Sequence, residues 1–363
     1  MKKTLLVIVI TLFSFAALAS DLLLEASFRV EEINERIGQL NLPWRAGVPG
    51  VLSDFAAHGI SDFGSIVDKW HGEIELPERI ELKKDGEFST QATTRYGQII
   101  SSLFVYFPYG DVAIPEGSFI QVHTPVRNQA FHGTCWAFAT VASFESGLLV
   151  QKDGYGGEDG FEPWKLQHDT YDFSEQFLSF HNIDWDIYSE SYYDPLQSDV
   201  IIQDDSYDAG GNAIFSTYNT VRYGLPEESD FPYSMFDFNP WILWNPVNND
   251  WEDNIVKSTK TLQIYYGDEL SWLGYSFEDY NPAIKEALLK FGSLAVSFRV
   301  PEDFDFYTKG VYIPSSNVIT GGHAVTLVGW LDMTGLKTAF PDLISPEATS
   351  VTVDDPLDRK SVV

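Results

Sequence analysis

Cys135 is the single cysteine in a chain of 363 residues, so no disulfide can form within the chain. The constraint is sharp because the N-terminus reads as an export signal. Lys2 and Lys3 form a basic start, Leu5 to Phe15 an apolar core and Ala17-Leu18-Ala19 a small-residue cleavage site. Residues 1–19 are therefore expected to be a signal peptide, with the mature chain starting near Ser20 and a secreted or periplasmic destination. Exported domains are often stapled by disulfides; here a buried core must hold the fold. A composition 44% apolar and 15% aromatic can supply one.

Other features narrow the partners. No cysteine stands at the cleavage point to take a lipid, and no later run approaches the roughly 18 apolar residues of a membrane span, so stable membrane insertion is not expected. The net charge of −30, with clusters at Asp204-Asp205, Glu227-Glu228 and Asp250 to Asp253, disfavours nucleic acid and anionic membranes. Neither a cysteine pair nor a His-x-x-x-His spacing is present, so neither a metal nor another cofactor is expected.

Cys135 has a local setting with chemical meaning. Gly133 and Thr134 suit a turn and a helix N-cap, and Trp136 to Glu145 carries apolar residues at helical spacing. Cys135 then falls at a helix start, where free N–H groups and the aligned peptide dipoles favour a thiolate. Gln129 lies just upstream, where its amide could donate to an oxyanion beside the Cys135 N–H. An inert buried cysteine is the other reading of these residues.

The run Val126-Arg127-Asn128-Gln129 to Cys135-Trp136-Ala137-Phe138 resembles the active-site segment of the papain-like cysteine peptidases. Further motifs follow in the family's order. Phe173 to Leu178 resembles a Leu-Ser-Glu-Gln helix start, and Gly210-Gly211 with Phe231-Pro232-Tyr233 is similar to its Gly-Gly and Tyr-Pro-Tyr succession. Tyr307-Thr308-Lys309-Gly310-Val311-Tyr312 and Gly322-His323-Ala324-Val325 match its Tyr-x-x-Gly-Val-Tyr and His-Ala-Val patterns. The resemblance covers about residues 120–330. It implies an α+β, two-lobed fold, with a helical lobe bearing Cys135 and an antiparallel β-barrel-like lobe bearing His323. It implies Cys135 as nucleophile, His323 as general base and acid, Gln129 as oxyanion donor, and Gly210 and Gly211 as backbone that binds a peptide or protein substrate strand-wise.

Asn41-Leu42-Pro43-Trp44-Arg45-Ala46-Gly47 resembles the short propeptides of cathepsin B-like members, and Glu31 to Leu40 places Ile33, Ile37 and Leu40 at helical spacing before it. Residues 20–110 are thus expected to be a pro-segment or N-terminal extension, and 111–363 the peptidase domain. Departures accompany the matches. His132 and Asp208 stand where the family has a disulfide, and their side chains are expected to approach each other instead. The family's Asn-Ser-Trp-Gly motif after the histidine strand is not found, so a truncated or divergent C-terminus, an incomplete β lobe and poorly packed residues beyond Lys337 are expected. A catalytically dead secreted peptide-binding homologue is the alternative reading.

Overall fold

The computed structural model describes residues 23–50, 81–82, 88–89, 112–130, 132–159, 166–180, 216, 220, 224–234, 256, 263–265 and 277–351. In chain order the described elements are α1 (residues 23–39), β1 (Trp44–Ala46), β2 (Glu81–Leu82), β3 (Phe88–Ser89), β4 (Phe119–Ile120) and α2 (Cys135–Gln151). They continue with β5 (Glu158–Asp159), α3 (Glu175–Phe180), β6 (Gln263–Tyr265), α4 (Phe277–Phe291), β7 (Leu294–Pro301), β8 (Tyr307–Gly310), β9 (Ile319–Leu327), β10 (Gly329–Trp330) and α5 (Met333–Ala339). The signal peptide, Asp208 and Gly210-Gly211 lie outside the described residues. The structure divides into two compact units.

The first unit comprises residues 1–70, 300–321 and 332–363. Helix α1 starts earlier than its sequence pattern suggests and buries Ala26, Ile33 and Ile37, which share one face at helical spacing. Beyond it β1 pairs antiparallel with β8, Trp44 opposite Gly310 and Arg45 opposite Lys309. Trp44 is fully buried, and its indole N–H donates to the Ile313 carbonyl at 2.9 Å. The ring of Tyr312 meets it edge-on at 5.0 Å. Close approach of the two strands requires a glycine opposite the indole. Gly310 has φ +108°, and a Cβ there would stand 2.3 Å from the Pro43 carbonyl oxygen and 2.7 Å from Trp44 Cα.

The same unit holds the C-terminal described residues. Asp332 caps α5 by accepting from the Gly335 N–H at 2.7 Å, and Leu336 is buried. Beyond Lys337 most of the described residues through 351 are exposed, as expected, and Ile344 is the buried one among them. Residues 340–344 turn back on themselves, with Ile344 N–H donating to the Phe340 carbonyl at 2.9 Å, and Ile344 is buried. Lys309 also pairs with Asp342. Leu336 and Ile344 are both buried, in a stretch that carries no motif of the family.

The second unit comprises residues 71–299 and 322–331. Its centre is α2, which is buried on nearly every side rather than along one stripe, as a core helix is. Trp136, Phe144, Phe177, Phe231, Ala295 and Ala324 pack in one cluster with it. Helix α4 ends at Gly292, whose φ of +102° lets the chain turn where a Cβ would meet Gly147 N at 2.8 Å. Ser143 and Ser146 then bond the Ser293 carbonyl and N–H at 2.6 and 2.8 Å, fixing the start of β7 against α2.

Strand β4 lies between β10 and β5, both antiparallel to it. The second sheet has the order β6-β7-β9, and β6 runs parallel to β7. The other strand pairs whose direction is defined, β1–β8, β2–β3, β4–β10 and β4–β5, are antiparallel, as expected of the β lobe. The fold is α+β, with no closed barrel among the described strands.

Candidate active site

Cys135 is the first residue of α2, as its sequence setting suggests. Thr134 takes the N-cap place without capping: its side chain makes no bond to the helix backbone and pairs with the Tyr233 hydroxyl at 2.7 Å. Cys135 is 1% exposed. Backbone N–H groups of Ala324, Trp136 and Cys135 itself point at its sulfur. Thr326 on the same strand donates to the Ala139 carbonyl at 3.3 Å. Two strand residues span about 6.7 Å and four helical residues rise about 6 Å, so β9 runs alongside the first turn of α2. Alternation along β9 turns Ala324 into the core, whereas its neighbour His323 is half-buried with its ring edge-on to Phe298 at 5.8 Å. The imidazole thus belongs to the residue next to the amide that reaches the sulfur.

The electrostatics correct one sequence expectation. A helix start was expected to depress the thiol's pKa, but burial pushes it up to about 11, and the three backbone donors offset only part of that rise. The thiol is therefore protonated at neutral pH in this state.

Gln129 lies in the loop before α2, and its side-chain amide donates to the His132 carbonyl at 2.9 Å. A primary amide has two hydrogens, so this bond orients the group without exhausting it as a donor. Ala130 sits at φ +53°, a left-handed conformation that costs a non-glycine residue about 1–2 kcal/mol. The Asn128 side chain supports it by accepting from the Ala130 N–H at 2.9 Å. His132 is fully buried. Its expected partner Asp208, like Gly210 and Gly211, is outside the described residues.

Glu145, Glu175 and Glu228 form a group of interacting acids to which sequence reading assigned no role in the site. Glu145, on α2, accepts from the Thr124 hydroxyl and from the Phe173 N–H at 2.8 Å. Burial pushes its carboxyl up to about 7, with the Thr124 and Phe173 bonds and Arg127 opposing the rise. Glu228 is also pushed up to about 7, chiefly by burial, and Glu175 is raised well above its usual range by burial and by Glu145 and Glu228 nearby. A lone glutamate inside the apolar run of α2 was the available signal. Among the described residues no group of three or more His, Cys, Asp or Glu is arranged to hold a metal.

The profile of the papain family cysteine proteases matches residues 202–338, the stretch that contains His323. Cathepsin B of Dictyostelium discoideum is 27% identical over 242 residues, covering 64% of this chain and 65% of that protein. A cathepsin B-like cysteine proteinase of Caenorhabditis elegans is 43% identical over 56 residues, 15% of each chain. Over these stretches the chain is similar to the papain-like cysteine peptidases.

Among solved structures, a digestive procathepsin L2 of Tenebrio molitor superposes with a TM-score of 0.50 at 17% identity, covering 88% of this chain and 80% of that one. That likeness concerns the papain-like fold. The matches span less than two thirds of the length of the two curated relatives named above. Within the papain-like pattern, Ala324 and Tyr233 stand in motifs legible in the sequence, yet nothing in the motifs says what their amide and hydroxyl touch.

Proposed function

We propose that the chain is an exported cysteine peptidase that hydrolyses peptide bonds by acyl transfer. The thiol of Cys135 gives its proton to the His323 imidazole and its sulfur bonds to the substrate carbonyl carbon. The Cys135 N–H and the Gln129 amide meet the charge that develops on the carbonyl oxygen, and His323 returns the proton to the departing amine. Water, deprotonated by His323, then cleaves the thioester. The observation that carries this reading is the Ala324 N–H at the Cys135 sulfur, which brings the His323 strand to the first turn of α2. Peptide or protein would be the substrate, with Gly210 and Gly211 backing its backbone.

The chain as synthesised would be a zymogen, with residues 1–19 a signal peptide, 20–110 a pro-segment and 111–363 the peptidase domain. The buried Trp44 and the β1–β8 pairing support a segment held in place until it is cut. No described helix is long and apolar enough to cross a membrane.

A second reading, a secreted peptide-binding homologue without turnover, is favoured by the thiol's pKa of about 11. The test is turnover of an unfolded protein by the matured chain. Cleavage that disappears in Cys135→Ala and His323→Ala supports the peptidase; a folded chain that binds peptides without cutting them supports the second reading.

A further inference from the structure

Resting on the reading of Cys135 as nucleophile and Gln129 as oxyanion donor, we propose that Tyr233 is a positioning residue. Its phenol ties together the two ends of residues 129–134 and thereby sets the Gln129 amide relative to the Cys135 sulfur. The Tyr233 hydroxyl donates to the Gln129 carbonyl at 3.0 Å. A phenol has one proton, so toward Thr134 Oγ1, 2.7 Å away, it accepts and the threonine donates. One oxygen thus holds the residue that carries the amide and the residue that immediately precedes the sulfur.

The loop gives this tie a task. It turns through Ala130 at φ +53°, and His132 occupies a place at which the sequence offers no thiol for a covalent tether. Tyr233 is itself well anchored. Its N–H donates to Glu228 Oε1 at 2.6 Å, and the next N–H, of Ser234, donates to Gln176 Oε1 at 3.1 Å. Its ring stands edge-on to Phe138 at 4.8 Å and to His132 at 6.0 Å. Removing the hydroxyl leaves that ring packing in place while releasing both loop bonds.

The decisive variants are Tyr233→Phe and Thr134→Val, with Thr134→Ser as the conservative control, made in the full chain and matured alike. Tyr233→Phe and Thr134→Val are expected to lower kcat about tenfold with KM within about twofold, because placement of reacting groups is lost and substrate contact is not. Thr134→Ser should stay near the parent. Before maturation, amide hydrogen exchange at Ala130 and His132 should quicken about five- to tenfold in Tyr233→Phe while α3 is unchanged.

Loop exchange like the parent's overturns the proposal, as does a loss that falls on KM or an acceleration spread across α2 and α3. If the parent shows no turnover, the peptidase reading has failed. Exchange still decides the clamp, upheld by acceleration confined to residues 129–134 and refuted by its absence.

Discussion

Replacing Glu145 with glutamine should make the protein less sensitive to rising pH. The amide has the shape of the carboxyl: its oxygen can accept from the Phe173 N–H and its nitrogen can donate to the Thr124 hydroxyl. Only the titration is removed. The Glu145 carboxyl rises from 4.5 to about 7 on folding, because burial disfavours its charged form. Below pH 4.5 it is protonated in both states and its contribution is complete. Between 4.5 and about 7 the unfolded chain has released the proton that the folded chain retains, and stability falls at about 1.4 kcal/mol per pH unit. Above 7 the loss levels off at about 3 kcal/mol. Urea unfolding followed by tryptophan fluorescence, from about pH 4 to about pH 8, measures it. The glutamine variant's stability relative to the parent should rise by about 3 kcal/mol over that interval. A relative stability constant to within about 1 kcal/mol, or one that changes with the opposite sign, would refute the argument that burial holds the proton on Glu145.

Three more outcomes follow from other residues. Alkylation of Cys135 by iodoacetamide in the intact, unmatured chain should climb about tenfold per pH unit with a midpoint near 11, and a midpoint at or below the free-thiol value of about 8.5 would contradict the burial argument. Trp44→Ala should cost about 3–5 kcal/mol in unfolding of the unit that contains it, since it empties a fully buried site and strips the Ile313 carbonyl of its donor; a loss under about 1 kcal/mol would mean that the indole is dispensable. Gly310→Ala should destabilise the same unit by more than about 1 kcal/mol, read as a lower thermal midpoint, and an unchanged midpoint would rule out the close strand approach.

The legible parts of the molecule were those written in contiguous residues. The run around Cys135 gave the start of α2, and Ile33 and Ile37 gave the face of α1, because periodicity and turn chemistry are local. The motif order placed the histidine on a strand, and His323 is on β9. What stayed hidden depends on contacts between residues far apart. The Thr134 hydroxyl was read as a cap and serves Tyr233 instead. The dipole argument for Cys135 omitted the desolvation imposed by burial in a cluster that includes Ala295 and Ala324. Residues beyond Lys337 carry no family motif, yet Ile344 finds a buried place.

The β4–β10 pairing also sets an order of events in time. Cys135 follows shortly after Phe119–Ile120, and His323 shortly precedes Gly329–Trp330, so the contact between these two strands gathers both parts of the site. A nascent chain that has not passed residue 330 contains the cysteine helix without the completed strand pairing beside it. Closing so long a loop adds little cost in equilibrium, about 0.6 kcal/mol per doubling of length, but contacts this remote in sequence form slowly. The candidate site is then complete only once these strands have met, and a growing chain that has not passed residue 323 carries the thiol without the imidazole.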